Sequence, residues 1–244
     1  MVLFRRKGFS FVALLVFSIV ASLITTTCGR GTKGMLETLK EIEEGGYANM
    51  DASKATVEEL KRGIELYKNV VAEKVKAAEQ LSVYYKMLAM KYIDREMFNL
   101  ARDALLEAIR ITPENAELFY LTGVCLGRGA KAEMNEETRL KMFAEAEEYY
   151  KRALDLYPNH IEALYGLSIL YIFEMDEPLE AEEYLLRLLD ISEKDTDAMF
   201  LLGRVYAYQG KFEEAIDLYE KIMRISSDPD QKAKAEEIKE ELMK

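Results

Sequence analysis

The sequence predicts an all-α protein built as a solenoid of antiparallel helix pairs, and three observations lead to this fold class. First, the 244 residues include only 4 Pro, 13 Gly and no Trp, whereas half of them are apolar. Such a composition favours helices over strands and turns. Second, apolar helical segments recur with a period of roughly 34 residues, which is typical of helical repeats. Third, small residues return at the same two places in every period.

The net charge of −11 limits the class of partner. A nucleic-acid-binding surface needs clustered Lys and Arg, whereas this chain has 33 basic and 44 acidic residues. The charge balance therefore argues against a nucleic-acid partner. Its ordinary consequence is solubility.

The first 27 residues have the pattern of an export signal. Basic residues at positions 5–7 precede an uncharged apolar run, Phe9–Ile24, and Cys28 follows after three Thr residues. A basic start, an apolar stretch and a small-residue exit are the parts of a secretory signal. Residues 1–27 are therefore predicted to lie outside the fold, and the Gly-rich residues 28–34 are predicted to form a flexible tether.

The segment that ends at Cys28 resembles a bacterial lipoprotein signal, in which the Cys becomes the acylated first residue of the mature protein. This resemblance implies a lipid anchor in the bacterial cell envelope, on the periplasmic face or at the cell surface. Thr25 and Thr27 depart from such signals, which favour Leu at the first place and Gly or Ala at the second. An ordinary signal peptide and a retained signal anchor therefore stay as alternatives.

Proline and small residues delimit the repeats. Pro113 and Pro158 each follow one amphipathic segment and precede another. Counting from them places a small residue on both helices of every pair, and small residues at such positions let paired helices pack closely. These residues are Ala89, Gly123, Ser168 and Gly203 on the first helices, and Ala101, Ala146, Ala181 and Ala215 on the second helices.

This spacing, with large and aromatic residues between the small ones, resembles the tetratricopeptide repeat family. The resemblance implies a right-handed superhelix and divides residues 82–229 into four repeats, 82–115, 116–160, 161–195 and 196–229. The flanking segments are predicted to be caps, because a repeat cannot bury its face alone. They are a degenerate N-terminal hairpin over residues 35–81 and a C-terminal helix over residues 230–244. The first helix of the hairpin is predicted over residues 35–44, before Gly45 and Gly46, and its second helix is predicted to end near Val71.

The second predicted repeat is longer than the others. Gly127–Gly129 is predicted to break the chain, and residues 135–141 are predicted to begin a lengthened second helix. An insertion maps to one rim of a solenoid. The extra residues near 128–138 are either a binding feature or a tolerated decoration.

Residues for catalysis are missing from the sequence. The one histidine, His160, excludes metal sites that need two His ligands, and its place in an inter-repeat turn predicts a solvated side chain. There is no Gly-rich phosphate loop and no nucleophile elbow. Cys125 lies in an apolar segment and is predicted to be a buried thiol. We therefore expect neither an enzyme nor a cofactor or metal site.

The tetratricopeptide resemblance implies a concave groove lined by the first helices. Lys86 and Arg204 alone fit the pattern with which some family members clamp a C-terminal carboxylate, so this mode of binding is not expected. An aromatic residue instead recurs in the groove, and such a surface suits an apolar helix face or an extended peptide. The alternative is that these residues pack helix on helix. The candidate groove residues are Lys86, Met90, Tyr120, Val124, Tyr165, Ile169, Phe173, Phe200, Arg204 and Tyr208.

The sequence thus predicts an exported, membrane-tethered scaffold that binds a protein or peptide in an aromatic groove. A lipoprotein that binds a small ligand or a lipid, or that serves as an accessory subunit of a transporter, is the alternative. The sequence leaves homo-oligomerisation open.

Overall fold

The computed structural model describes residues 56–244, and every regular element in this range is helical, which confirms the predicted fold class there. None of its helices is long and apolar enough to cross a membrane. The helices are α1 (Val57–Ile93), α2 (Phe98–Ile111), α3 (Ala116–Lys131), α4 (Glu136–Leu156), α5 (Ile161–Ile169), α6 (Ala181–Ile191), α7 (Thr196–Tyr208), α8 (Phe212–Ile225) and α9 (Pro229–Leu242).

Local sequence explains where several helices begin. Asn115, Asn135, Asp195 and Asp228 each precede a helix and accept a hydrogen bond from a backbone N–H of its first turn, at 2.8–3.1 Å. Such caps satisfy N–H groups that have no partner inside the helix. The boundaries of α3, α4, α7 and α9 therefore follow from single polar side chains.

The described residues divide into two units between residues 76 and 77, and α1 contributes to both. α1 is one continuous helix of 37 residues, so the prediction of a helix end near Val71 was wrong. The physical reason is that residues 72–82 contain no Gly or Pro to stop the helix. The predicted signal peptide, Cys28, the tether and the helix predicted over residues 35–44 lie outside the described residues.

The predicted small positions lie in the helix contacts of the second unit. Ala89, Ser168 and all four alanines predicted on the second helices are fully buried. The two glycines do not face another small residue, as was expected, but the tyrosine ring of their partner helix. A Cβ added to Gly123 would lie 2.9 Å from the ring of Tyr150, and one added to Gly203 would lie 2.8 Å from Cζ of Tyr219.

Tyr150 joins two consecutive helix pairs. Its ring lies against Gly123 on α3 and also against Gly166 on α5, where an added Cβ would be 3.0 Å away. Neighbouring pairs therefore share one buried cluster, which also contains Leu126, Leu164 and Leu202. Such shared packing between neighbours is the main source of stability in a solenoid.

The lengthened second pair differs from its prediction in one respect. α3 does not break at Gly127–Gly129 but continues to Lys131. Ala130 is fully buried in the core and fixes this last turn to its neighbours, and this packing outweighs the low helix propensity of glycine. α4 begins at Glu136, within the predicted stretch, and is also long, at 21 residues.

Candidate partner-binding groove

A cavity of about 470 Å³, which we call the central cavity, lies between α3 and α5. Both are first helices of consecutive pairs and run in the same direction. The lining residues of α3 lie on one face of the helix, because each of them is three or four positions from another. These residues are Tyr120, Val124, Gly127, Arg128 and Lys131.

The facing wall comes from α5, with Tyr150 of α4 behind it. Tyr165 and Ile169 are half-buried on this wall and flank Gly166, against which the ring of Tyr150 packs. Gly127 on the opposite wall leaves room, because a Cβ added there would meet nothing within 4 Å. This glycine thus keeps the α3 side of the central cavity open.

The structure brings four predicted groove residues together in this cavity: Tyr120, Val124, Tyr165 and Ile169. The ring centroid of Tyr120 lies 6.2 Å from that of Tyr150 and 5.1 Å from that of His160. These ring contacts hold one edge of the cavity in place, since tilted aromatic pairs at such distances are stabilising.

The two groove phenols stay neutral well above physiological pH. Burial, followed by the nearby carboxylates of Glu117 and Glu162, raises the pKa of Tyr120. Burial, with Asp197 and Asp195, likewise raises the pKa of Tyr165. Neutral phenols offer a ligand both an apolar face and an O–H donor.

Charges of opposite sign occupy the two ends of the central cavity. Glu162, Asp195 and Asp197 lie at or just before the N-terminal ends of α5 and α7, whereas Arg128 and Lys131 lie in the last turn of α3. Because α3, α5 and α7 run in the same direction, one end is acidic and the other basic. This placement also complements the helix dipoles.

Some of these charges already have partners. Lys131 Nζ lies 2.5 Å from Oε1 of Glu174, and Asp195 accepts a hydrogen bond from the backbone N–H of Ala198 at 2.9 Å. Arg128 is exposed, and no carboxylate forms an ion pair with it anywhere in residues 56–244. Its guanidinium is therefore available to an anionic group of a ligand.

A π-helical turn extends α5 over Leu170–Glu174 and shapes the basic end. The N–H of Met175 donates to the carbonyl of Leu170 at 3.0 Å, one residue further back than in an α-helix. Such turns change the direction of the side chains that follow and occur often at functional sites. Here the turn ends at Glu174, which pairs with Lys131 at the cavity.

Two other predicted groove residues line a second, smaller cavity, and a third, Phe173, contacts one of them. Phe173 is exposed, and the guanidinium of Arg204 lies 4.9 Å from its ring centroid. Arg204 and the exposed Tyr208 line this cavity of about 350 Å³ together with Asp176. The charge of Arg204 is thus directed at an aromatic ring of its own chain.

Phe200, the third member of the predicted aromatic series, lies outside the lining of the central cavity. Its ring is half-buried, 5.9 Å from the ring of Tyr219, with Nζ of Lys234 at 5.3 Å. The predicted residues Lys86 and Met90 belong to α1 and do not line the central cavity either.

The prediction of a solvated His160 was wrong. The side chain is buried with 6% exposure, and Tyr120 and Tyr157 lie against it. Its Nε2 lies 3.3 Å from Glu117 and its Nδ1 lies 3.1 Å from Glu162. Nδ1 neither donates nor accepts a hydrogen bond within the described residues. The imidazole is therefore held mainly by packing.

The sequence reasoning missed the polar part of the site. Arg128 was treated as part of a chain break and Lys131 as part of the insertion near 128–138, although both continue the helical spacing of Tyr120 and Val124. Asp195 and Asp197 come from the next repeat, and no local pattern indicated that they reach the cavity. Extending the spacing along α3 by two turns would have identified the basic residues.

Two further observations concern the Cys125 thiol and the acidic side chains of this range. Cys125 is buried, as predicted, and burial raises the pKa of its thiol to about 12. A thiol in this state is a poor nucleophile. In the described part of the chain, no group of three or more His, Cys, Asp or Glu side chains is placed to hold a metal ion.

Comparisons with known proteins agree with this geometry. Residues 138–160 and 198–233 match models of the tetratricopeptide repeat. No curated protein matches the chain significantly. Within these two segments the chain is similar to tetratricopeptide repeats, which agrees with the paired helices of the fold.

Solved structures show the same fold. YrrB, described as a tetratricopeptide protein with an unusual peptide-binding site, is 25% identical; the match covers 74% of this chain and 85% of YrrB, with a TM-score of 0.51. A MamA fragment from Desulfovibrio magneticus RS-1 is 20% identical over 67% of this chain and 93% of its own, with a TM-score of 0.52. A tetratricopeptide protein from Thermus thermophilus is 17% identical over 73% of this chain and 95% of its own, with a TM-score of 0.53.

Proposed function

We propose that this protein is a scaffold that binds a peptide segment of a partner protein in the central cavity, without catalysis. The observation that carries the proposal is a preformed aromatic cavity, left open at Gly127 and flanked by charges of opposite sign. Aromatic anchors contribute most of the affinity at many interfaces. The similarity to YrrB, a tetratricopeptide protein with an unusual peptide-binding site, supports the same class of ligand.

The charges give the proposed peptide a direction. An acidic side chain or a C-terminal carboxylate would pair with Arg128, which has no carboxylate partner within residues 56–244. A basic group would lie near Asp195 and Asp197 at the other end. Between them an apolar side chain would insert between Tyr120 and Tyr165. Complementary charges of this kind favour one orientation of the peptide over the other.

The volume of the central cavity also fits a small molecule, since such sites usually measure about 300–1,000 Å³. This observation keeps a small-ligand or lipid-binding lipoprotein as the second candidate function. The two candidates differ in what the purified protein binds, so one experiment distinguishes them.

The test uses Gly127→Leu, which fills the central cavity without a steric clash at its Cβ. Peptides are selected from a random library on the purified full-length protein, and their affinities are measured by calorimetry. We expect Gly127→Leu to abolish binding, whereas Lys221→Leu, on an exposed position of α8, leaves it unchanged. Equal binding to both variants would disprove the site. A small molecule that co-purifies with the wild type and is lost from Gly127→Leu would support the second candidate.

We further propose that Cys28 is acylated and tethers the scaffold to a membrane of the bacterial cell envelope. The support is the order of basic residues, apolar run and Cys at the N-terminus. We expect Cys28→Ser to abolish labelling by a radioactive fatty acid and to leave an uncleaved precursor. A mature N-terminus at another residue, found by mass spectrometry, would refute the lipid anchor.

A further inference from the structure

The N-terminal part of α1 has an apolar stripe that the described residues leave uncovered. Six large apolar side chains of this stripe are each between 44% and 61% exposed. All residues from 71 to 81 are exposed, so every side of the helix is bare there. The stripe consists of Val57, Leu60, Ile64, Tyr67, Val71 and Val75.

The spacing of the stripe is that of a coiled coil. Its members alternate at intervals of three and four residues from Val57 to Val71, and Val75 and Ala78 continue the same side. An apolar repeat of this kind over three heptads indicates a helix that pairs with another helix. Isolated helices are marginal in water and gain most of their stability from covering such a face.

We propose that the stripe binds the same stripe of a second copy of this chain, so that the protein forms a homodimer through α1. Residues 57–78 extend over about 33 Å at 1.5 Å per residue, and the partner helix must be of similar length. The identical helix of a second copy meets this requirement. The chain's own upstream helix, predicted over residues 35–44, would measure only about 15 Å before Gly45 and Gly46 end it.

Charge also favours a second copy. Residues 57–81 carry five acidic and five basic side chains and are formally neutral, although the whole chain has a net charge of −11. Two copies of this segment can therefore approach each other without the repulsion expected for the rest of the chain. A helix that lies on a lipid surface would instead be rich in Lys and Arg on its polar face.

The test compares two double variants of the full-length protein, purified in detergent and analysed by sedimentation with the detergent density-matched. Ile64→Glu/Val71→Glu places two charges on the stripe. The matched control, Asn69→Glu/Gln80→Glu, adds the same charge at exposed positions off the stripe. We expect the wild type and the control to sediment as dimers and the stripe variant as a monomer, with a dimer dissociation constant raised at least 100-fold.

Two results would overturn the proposal. A monomeric wild type would rule out the homodimer, and loss of vesicle binding by the stripe variant would then identify a membrane as what covers the stripe. A dimer that survives in the stripe variant would place the interface elsewhere. Circular dichroism and the melting temperature of the repeats show whether each variant is folded. The affinity of peptides for the central cavity is measured separately, so failure of the dimer leaves the proposed function untouched.

Discussion

Tyr165 and Phe200 occupy the same position in consecutive helix pairs, three residues before the small residues Ser168 and Gly203. Their surroundings nevertheless differ. Gly166 follows Tyr165 and lines the central cavity with it, whereas the buried Leu201 follows Phe200 and belongs to the core. Equivalent aromatic positions thus line a cavity in one pair and pack in the next, depending on their neighbours.

The largest difference that we expect between these two regions is in stability. Phe200→Ala removes a ring that packs against Tyr219, and the resulting void should lower the free energy of unfolding by about 2–3 kcal/mol. Peptide affinity should change little, because Phe200 does not line the central cavity. Urea denaturation measures the first quantity and calorimetry the second. An affinity loss without destabilisation would place Phe200 in the binding surface after all.

Substitutions at two glycines test the same difference between packed and open positions. Gly203→Leu brings a Cβ to 2.8 Å from the ring of Tyr219 and should cost about 1–3 kcal/mol of unfolding free energy. Gly127→Leu meets no atom at its Cβ and should be neutral or slightly stabilising, since Leu favours helix more than Gly does. Ala101→Leu, at a fully buried position, should be as damaging as Gly203→Leu. Equal stability of the two glycine variants would show that Gly203 does not lie in close contact with the ring of Tyr219.

The smallest expected effect concerns the basic end of the central cavity. Arg128→Gln should weaken binding of an acidic peptide by up to about 1 kcal/mol, because the pair is exposed and screened by salt. The unfolding free energy should not change. The salt dependence of binding should decrease in this variant, and an unchanged salt dependence would argue against a pairing with Arg128. Lys221→Gln, on an exposed part of α8, is the control for loss of one positive charge.

Local patterns in the sequence predicted the helix pairs well. Ala89, Ser168 and Ala146 are buried as their spacing indicated, because helical periodicity determines which side of a helix faces its partner. The continuity of α1 was missed for a related reason. A repeat boundary was expected in residues 72–82, although this stretch contains no residue that stops a helix.

The candidate site was only partly predictable, because it depends on contacts between repeats. His160 lies in a turn, and its burial comes from Tyr120, which belongs to another helix pair. Phe200 has the same local sequence features as Tyr165, and only the structure shows Tyr219 and Lys234 against its ring. Contacts of this kind link residues that are distant in sequence, and a single sequence has no local signal for them.

The most direct test of the central cavity is Tyr165→Ala, with melting temperature and peptide affinity measured on one preparation. Tyr165 lies in the middle of the array, half-buried on the cavity wall, so fraying of a terminal repeat cannot explain the result. We predict a loss of about 1–3 kcal/mol in binding free energy with the melting temperature nearly unchanged. A loss of about 3 kcal/mol or more in unfolding free energy, with peptide affinity retained by the folded fraction, would contradict this account.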